Sequence, residues 1–151
     1  MVITICSSIE FSPKIIEVKA ALEKMNHQVN IPYFTEKIIR GEISYSDFMA
    51  AKAKAGGDIL MRRPEKIDMI KRYWDFIKNS DAILVLNLDK KGVANYIGGS
   101  VLMEMGFAYG QGKKIFLYNP IPQRGEQMHY VDEILDLKPI VIDGDLSQIK
   151  V

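Results

Sequence analysis

Cysteine occurs once in the chain, at Cys6, and histidine twice, at His27 and His129. One cysteine excludes an internal disulfide and fits a reducing compartment. With no Cys/His cluster at metal-ligand spacing, no metal centre is expected, and each isolated histidine reads as a satisfied or exposed side chain. A Walker-type loop, a G-x-G-x-x-G fingerprint and a G-x-S-x-G nucleophile elbow are all missing, which removes the enzyme classes built on them. Charge of one sign is missing too. Twenty Lys and Arg against 19 Asp and Glu leave a net charge of +1, too little to attract a nucleic-acid polymer or a membrane surface. No apolar run is long enough to cross a bilayer, and the opening VITIC is too short and lacks the basic flank of a signal peptide, so a cytoplasmic location is expected.

What is present is the composition of a globular protein, with 48% hydrophobic and 26% charged residues in 151. That length predicts one domain, residues 1–151, with an ordinary hydrophobic core. The β-branched run over residues 2–6 reads as a buried strand, and residues 11–25 show helical spacing behind Ser12-Pro13. Residues 29–33 read as a short strand weakened by Pro32. Residues 34–63 form a long helical excursion or lid, in which Ser46 caps a helix that Gly56-Gly57 breaks. Lys52, Lys54, Arg62 and Arg63 in or near it read as solvated helix faces, with phosphate contact as the alternative.

Residues 64–78 predict an amphipathic helix with Pro64 at its start and Ile67, Ile70, Trp74 and Ile77 facing the core. Residues 81–87, DAILVLN, are the most hydrophobic strand and are expected at the centre of the sheet. Further strands are expected at 114–119 and 139–143, with a short helix ending near Asp136 between them. Strands alternating with helices predict an α/β fold, a flavodoxin-like or Rossmann-like three-layer sandwich whose parallel sheet has about five strands.

The stretch 92–113, GVANYIGGSVLMEMGFAYGQGK, carries a single acidic residue, Glu104, among apolar neighbours. A helix is expected from Gly98-Gly99-Ser100, with Ser100 as N-cap, to Gly110 or Gly112, and it should be largely buried. An ionised carboxylate buried there changes protonation state, finds partners, or belongs to a site. One reading pairs Glu104 with Lys90, Lys91 or a loop N–H. The other places it at a ligand cavity, because ligands of parallel sheets bind beyond the carboxyl ends of the strands. That rule brings in Ser7, Ser8, Asp89, residues 95–100 and Asn119, and it leaves Asp81, at an amino end, as a structural or capping residue. Phe11, Tyr96 and Tyr109 offer rings for stacking on a flat ligand. A carboxylate so placed suits attack on an anomeric carbon, forming a covalent sugar ester.

The segments SDAILVLN and GGSVLMEMGFAYGQGKKIFLYNPIP resemble the nucleoside 2-deoxyribosyltransferase superfamily, which includes the deoxyribonucleoside monophosphate N-glycosidases. The resemblance covers roughly residues 1–12 and 64–122. Residues 103–113 follow that family's pattern x-E-x-G-x-A-x-x-x-G-K, and Cys6-Ser7-Ser8-Ile9 looks like the first-strand loop C-G-S-I of its glycosidase branch. The resemblance implies that Glu104 is the nucleophile and that Ser8 and Ile9 line a sugar and phosphate pocket. It also implies a nucleoside or nucleotide as substrate, no cofactor and a homodimer, with residues 119–122 near the partner.

Ser7, Ser8, Ile9, Phe11, Asp89, Tyr96, Gly98, Gly99, Ser100 and Asn119 are thus the expected substrate-binding residues. Three positions depart from the family. Tyr73 stands where a second carboxylate is expected, and Asp75, two residues on, lies about 200° round the helix. Gly98 stands where the transferase branch has an aspartate, and Glu10 where the phosphate-binding glycosidases have an arginine. A non-catalytic nucleotide-binding or sensing module is the alternative function, and an unrelated flavodoxin-like binding protein a third.

Overall fold

The computed structural model describes residues 1–54 and 68–150. Its centre is one sheet of five parallel strands: β1 (Val2–Cys6), β2 (Gln28–Asn30), β3 (Ala82–Val85), β4 (Lys114–Leu117) and β5 (Ile140–Val141), in the order β2-β1-β3-β4-β5. The flavodoxin-like α/β expectation is therefore met. The order reverses between β1 and β3, so their carboxyl ends open the crevice where ligands of such folds bind. Their register, Cys6 beside Val85, brings the residues after both strands to the same rim.

Helices cover both faces. On one side lies α1 (Ser12–Lys24), which buries Ile15, Val18 and Leu22 against Ile3, Ile5, Leu84 and Phe116. On the other lie α4 (Met69–Lys78), α5 (Gly99–Gly110) and α6 (Val131–Asp136), packed on Cys6, Ile83, Val85, Ile115 and Leu117. The alternation of these strand residues between the two cores is the period of two that a pleated strand imposes. At the amino ends, Asp81 accepts from the Val2 N–H at 2.7 Å and so ties β1 to the turn before β3, the structural role expected of it.

Several boundaries differ from the expectation. The 29–33 strand stops at Asn30, and Tyr33 already belongs to α2 (Tyr33–Ile39), because Pro32 presets the backbone for a helix start rather than a ladder. In α3 (Tyr45–Lys54) the capping side chain is Ser44, whose Oγ accepts from Asp47 N at 3.1 Å, not Ser46. Helix α4 is capped by Asp68, which accepts from Lys71 N at 2.9 Å. Gly56, Gly57, Arg62, Arg63, Pro64 and Ile67 lie outside the described residues.

The buried face of α4 also turns out differently. Tyr73 and Ile77 face the core, while Ile70 is 57% and Trp74 37% exposed. Trp74 packs edge-on against Phe107 of α5 at 4.2 Å between ring centres. Helix α5 is buried on one face only, through Val101, Met105 and Ala108, with Met103 and Tyr109 exposed. Its N-cap is Gly98, which makes no side-chain capping bond, and Ser100 lies inside the first turn.

Candidate functional site

A cavity of about 510 Å³ opens at the switch between β1 and β3. Its wall combines Ser7, Ser8 and Ile9 after β1, Leu86 and Lys90 after β3, Tyr96, and the α5 residues Gly98, Gly99, Ser100 and Glu104. Pro32, Tyr33 and Phe34 of the α2 start, Lys52 of α3, Met69, Ile70 and Tyr73 of α4, and Val101, Met103 and Phe107 of α5 complete the described part. Seven of the ten expected substrate-binding residues and Glu104 thus meet at one hollow.

Glu104 reaches this wall because it shares a helical stripe with Val101, Met105 and Ala108, at spacings of three and four residues. The stripe packs on the sheet, and Glu104 lies at its edge. Its Oε2 is sealed from solvent and, among the described residues, has no hydrogen-bond partner. From β1 below, the fully buried Cys6 thiol lies close enough to the carboxyl to favour its ionised form. Burial pushes the Glu104 carboxyl from its ordinary 4.5 up to about 8, with the thiol contact working weakly the other way. Burial therefore favours the protonated acid at neutral pH.

No lysine pairs with Glu104 among the described residues. Lys90 instead donates to Ser8 Oγ at 2.9 Å and lies 3.2 Å from a carboxylate oxygen of Glu10. Lys52 pairs with the other oxygen of Glu10. Tyr45 anchors α3 at the same place by donating to the Glu10 carbonyl at 2.6 Å. Burial would raise the Glu10 carboxyl, but the two ammonium groups hold it below its usual range. Lys90 is lowered, mainly by its own desolvation.

Tyr96 lies beside Lys90, whose Nζ is 5.6 Å from the ring centre. The ring folds close over the start of α5, where a Cβ on Gly98 would meet it at 3.3 Å. The uncapped first turn of α5 directs backbone N–H groups toward this region, a favourable setting for an anion. Ser7, also on the wall, spends its hydroxyl on the Leu86 carbonyl at 3.0 Å.

Three expected site residues lie elsewhere. Phe11 sits half-buried in the 3-10 turn Ile9–Phe11, outside the cavity wall. Asp89 is exposed and caps the following loop by accepting from Asn95 N at 2.9 Å. Asn119 is locked in a reciprocal pair with the buried Asn87: its N–H donates to Asn87 Oδ1 at 2.9 Å and its amide to the Asn87 carbonyl at 3.0 Å. The position of Asn119 beyond β4, one strand away from the switch, explains this structural use. Tyr109 points to solvent rather than to a ligand.

No family model, curated protein or solved structure matches the chain. Among the described residues no three His, Cys, Asp or Glu side chains are grouped to hold a metal ion, and no helix is long and apolar enough to cross a membrane. Tyr33 is a wall residue that the sequence did not single out, whereas Lys52 was read as a solvated lysine with phosphate contact as the alternative, and Lys90 only as a partner for Glu104. Lys90 was within reach of the carboxyl-end rule, one residue beyond Asp89. Tyr73 was marked only as a departure, and it donates to the Ile5 carbonyl at 2.9 Å from inside the wall.

Proposed function

We propose that the chain cleaves or transfers the N-glycosidic bond of a nucleoside or nucleotide, with Glu104 as nucleophile. The observation that carries this reading is Glu104 on the wall of a cavity at the sheet's switch point, with its buried Oε2 left without a hydrogen-bond partner among the described residues. A buried polar atom left unsatisfied by its own protein calls for a ligand or a reaction. The resemblance to the nucleoside 2-deoxyribosyltransferase superfamily, in which Glu104 falls on the nucleophile, supplies the reaction.

In the ionised form, the Glu104 carboxylate attacks C1′ of the sugar. The C1′–N bond breaks with its electron pair going to the base, which takes up a proton, and the sugar is left as an ester of Glu104. Water, or a second base, then attacks C1′ and returns the carboxylate. Tyr96 and Tyr33 offer ring faces to the base, and Ser8 with the N–H groups of Gly99 and Ser100 holds the sugar side. Because the free acid holds its proton up to about pH 8, kcat/KM rises with pH and levels above that value. A panel of nucleosides and nucleotides incubated with the protein and analysed for free bases tests the reading. Base release that Glu104→Ala abolishes supports it, and undiminished release by that variant removes it.

A nucleotide-binding module without chemistry is the second reading. Glu104 is the only acidic residue on the described part of the wall, and Tyr73 occupies the position of the family's second carboxylate. Ligand-induced thermal stabilisation with no base released, across the same panel, favours that reading.

A further inference from the structure

The charge arrangement beside Ser8 has not been used by this mechanism. Lys52 comes from α3 and Lys90 from the segment after β3, yet both reach the cavity wall and converge on the two carboxylate oxygens of Glu10. They are not solvated surface lysines; the Lys90 side chain is only 14% exposed. Glu10 itself is not part of the wall. Two ammonium groups against one carboxylate leave the cluster with one net positive charge, and Ser8 and the first turn of α5 border it with further donors. Glu104, whose buried Oε2 has no hydrogen-bond partner among the described residues, lies on the wall of the same hollow.

We propose that Lys52, Lys90 and Ser8 form a subsite for an oxyanion group of the ligand, and that Glu10 is its specificity-determining residue, an internal counter-ion with which an entering phosphoryl or carboxylate group competes. The inference rests on the proposed reading of the cavity as a nucleoside or nucleotide site, and it names the feature that separates charged from uncharged ligands there. While Glu10 bridges the lysines, part of their attraction for a ligand is already spent. Neutralising Glu10 frees both ammonium groups and removes a like charge from the ligand's neighbourhood, so oxyanion ligands gain and uncharged ones do not.

Binding of one nucleoside, its 5′-monophosphate and its 5′-carboxylate, measured by calorimetry at low and moderate salt, tests this. The quantity read is the affinity of each acid relative to the uncharged nucleoside. Glu10→Gln raises that ratio by about tenfold or more, and Lys90→Met and Lys52→Met each lower it by a similar factor. Added salt shrinks it in every variant that retains it. A larger gain for the phosphate than for the carboxylate identifies a phosphoryl group as the ligand's anion, and the reverse identifies a carboxylate. A ratio in Glu10→Gln equal to or below that of the wild type overturns the proposal, as does binding of the uncharged nucleoside alone.

Thermal melting of each variant separates lost binding from lost structure, and the two lysine variants test the subsite if Glu10→Gln does not fold. Because binding is read without turnover, the two readings fail separately. The expected ratios without any base release overturn only the glycosyl-transfer mechanism. Glu104-dependent turnover with a flat ratio overturns only the subsite, and no binding by any of the three ligands overturns it as well.

Discussion

The Lys90 ammonium lies 3.2 Å from the Glu10 carboxylate and pairs with it rather than with Glu104. That choice of partner sets the character of the site. A lysine against Glu104 would hold it ionised as a structural ion pair. Without one, burial leaves it a weak acid at the edge of a cavity, sharing only the Cys6 thiol.

The first consequence concerns stability. The unfolded chain releases the Glu104 proton near its ordinary 4.5, whereas the native protein holds it up to about 8. The native state therefore binds more protons over this interval, so its stability is fully present below about pH 4.5, falls as pH rises, and levels off above about pH 8. Glu104→Gln removes this slope and becomes more stable relative to the wild type as pH rises, by a few kcal/mol between pH 4 and pH 9. Urea unfolding of both proteins at pH 5, 7 and 9 measures the difference. A constant gap across that range contradicts the assignment.

Cys6 supports Glu104 from the sheet side. Cys6→Ala removes the thiol that favours the ionised carboxylate, so the Glu104 pKa rises further. A carbon-13 NMR titration of labelled glutamate reads this directly, and an unmoved or lowered midpoint counts against the contact.

How the sequence anticipated the site is visible in these same residues. Glu104 was legible because one acid in an oily helix stands out, and its spacing of three and four from Val101 and Ala108 puts it on the inward stripe. Ser7, Ser8 and the Gly98–Ser100 turn were legible because alternating strands and helices predict a parallel sheet, and a parallel sheet predicts which loops face a ligand. Lys52 was legible only as the lesser of two readings, phosphate contact behind a solvated face, since a lysine on a polar helix shows no partner until Glu10, 42 residues away, is brought beside it. Asn119 was misplaced for the opposite reason. It stands at a strand's carboxyl end, but the buried Asn87 claims it, and sequence alone does not reveal such a reciprocal amide pair.

That pair yields its own prediction. Asn87 donates to the Asn119 and Pro120 carbonyls at 3.0 and 2.8 Å and accepts from the Asn119 N–H. Asn87→Ala leaves these groups without partners and costs roughly 2–4 kcal/mol. Denaturant unfolding measures the loss. Since neither asparagine is on the cavity wall, ligand affinity of the folded fraction stays near that of the wild type.

Gly98 lets Tyr96 fold over the start of α5. A Cβ there meets the Tyr96 ring at 3.3 Å, so Gly98→Ala shifts the ring by a few tenths of an ångström and weakens ligand binding by roughly 1 kcal/mol with little change in melting temperature. Titration with the best ligand from the nucleoside panel, alongside thermal melting, checks both halves. A large stability loss with unchanged affinity would assign Gly98 to folding instead.

The central claim is that the Glu104 carboxylate forms a bond to the sugar. Rapid quenching of the protein during turnover of a substrate found in the panel, followed by intact-mass and peptide analysis, tests it most directly. The account predicts a mass increase of one sugar residue located on Glu104, formed within a single turnover and absent from Glu104→Gln. Base release at full rate with no such adduct at any time, or an adduct located on another residue, contradicts it.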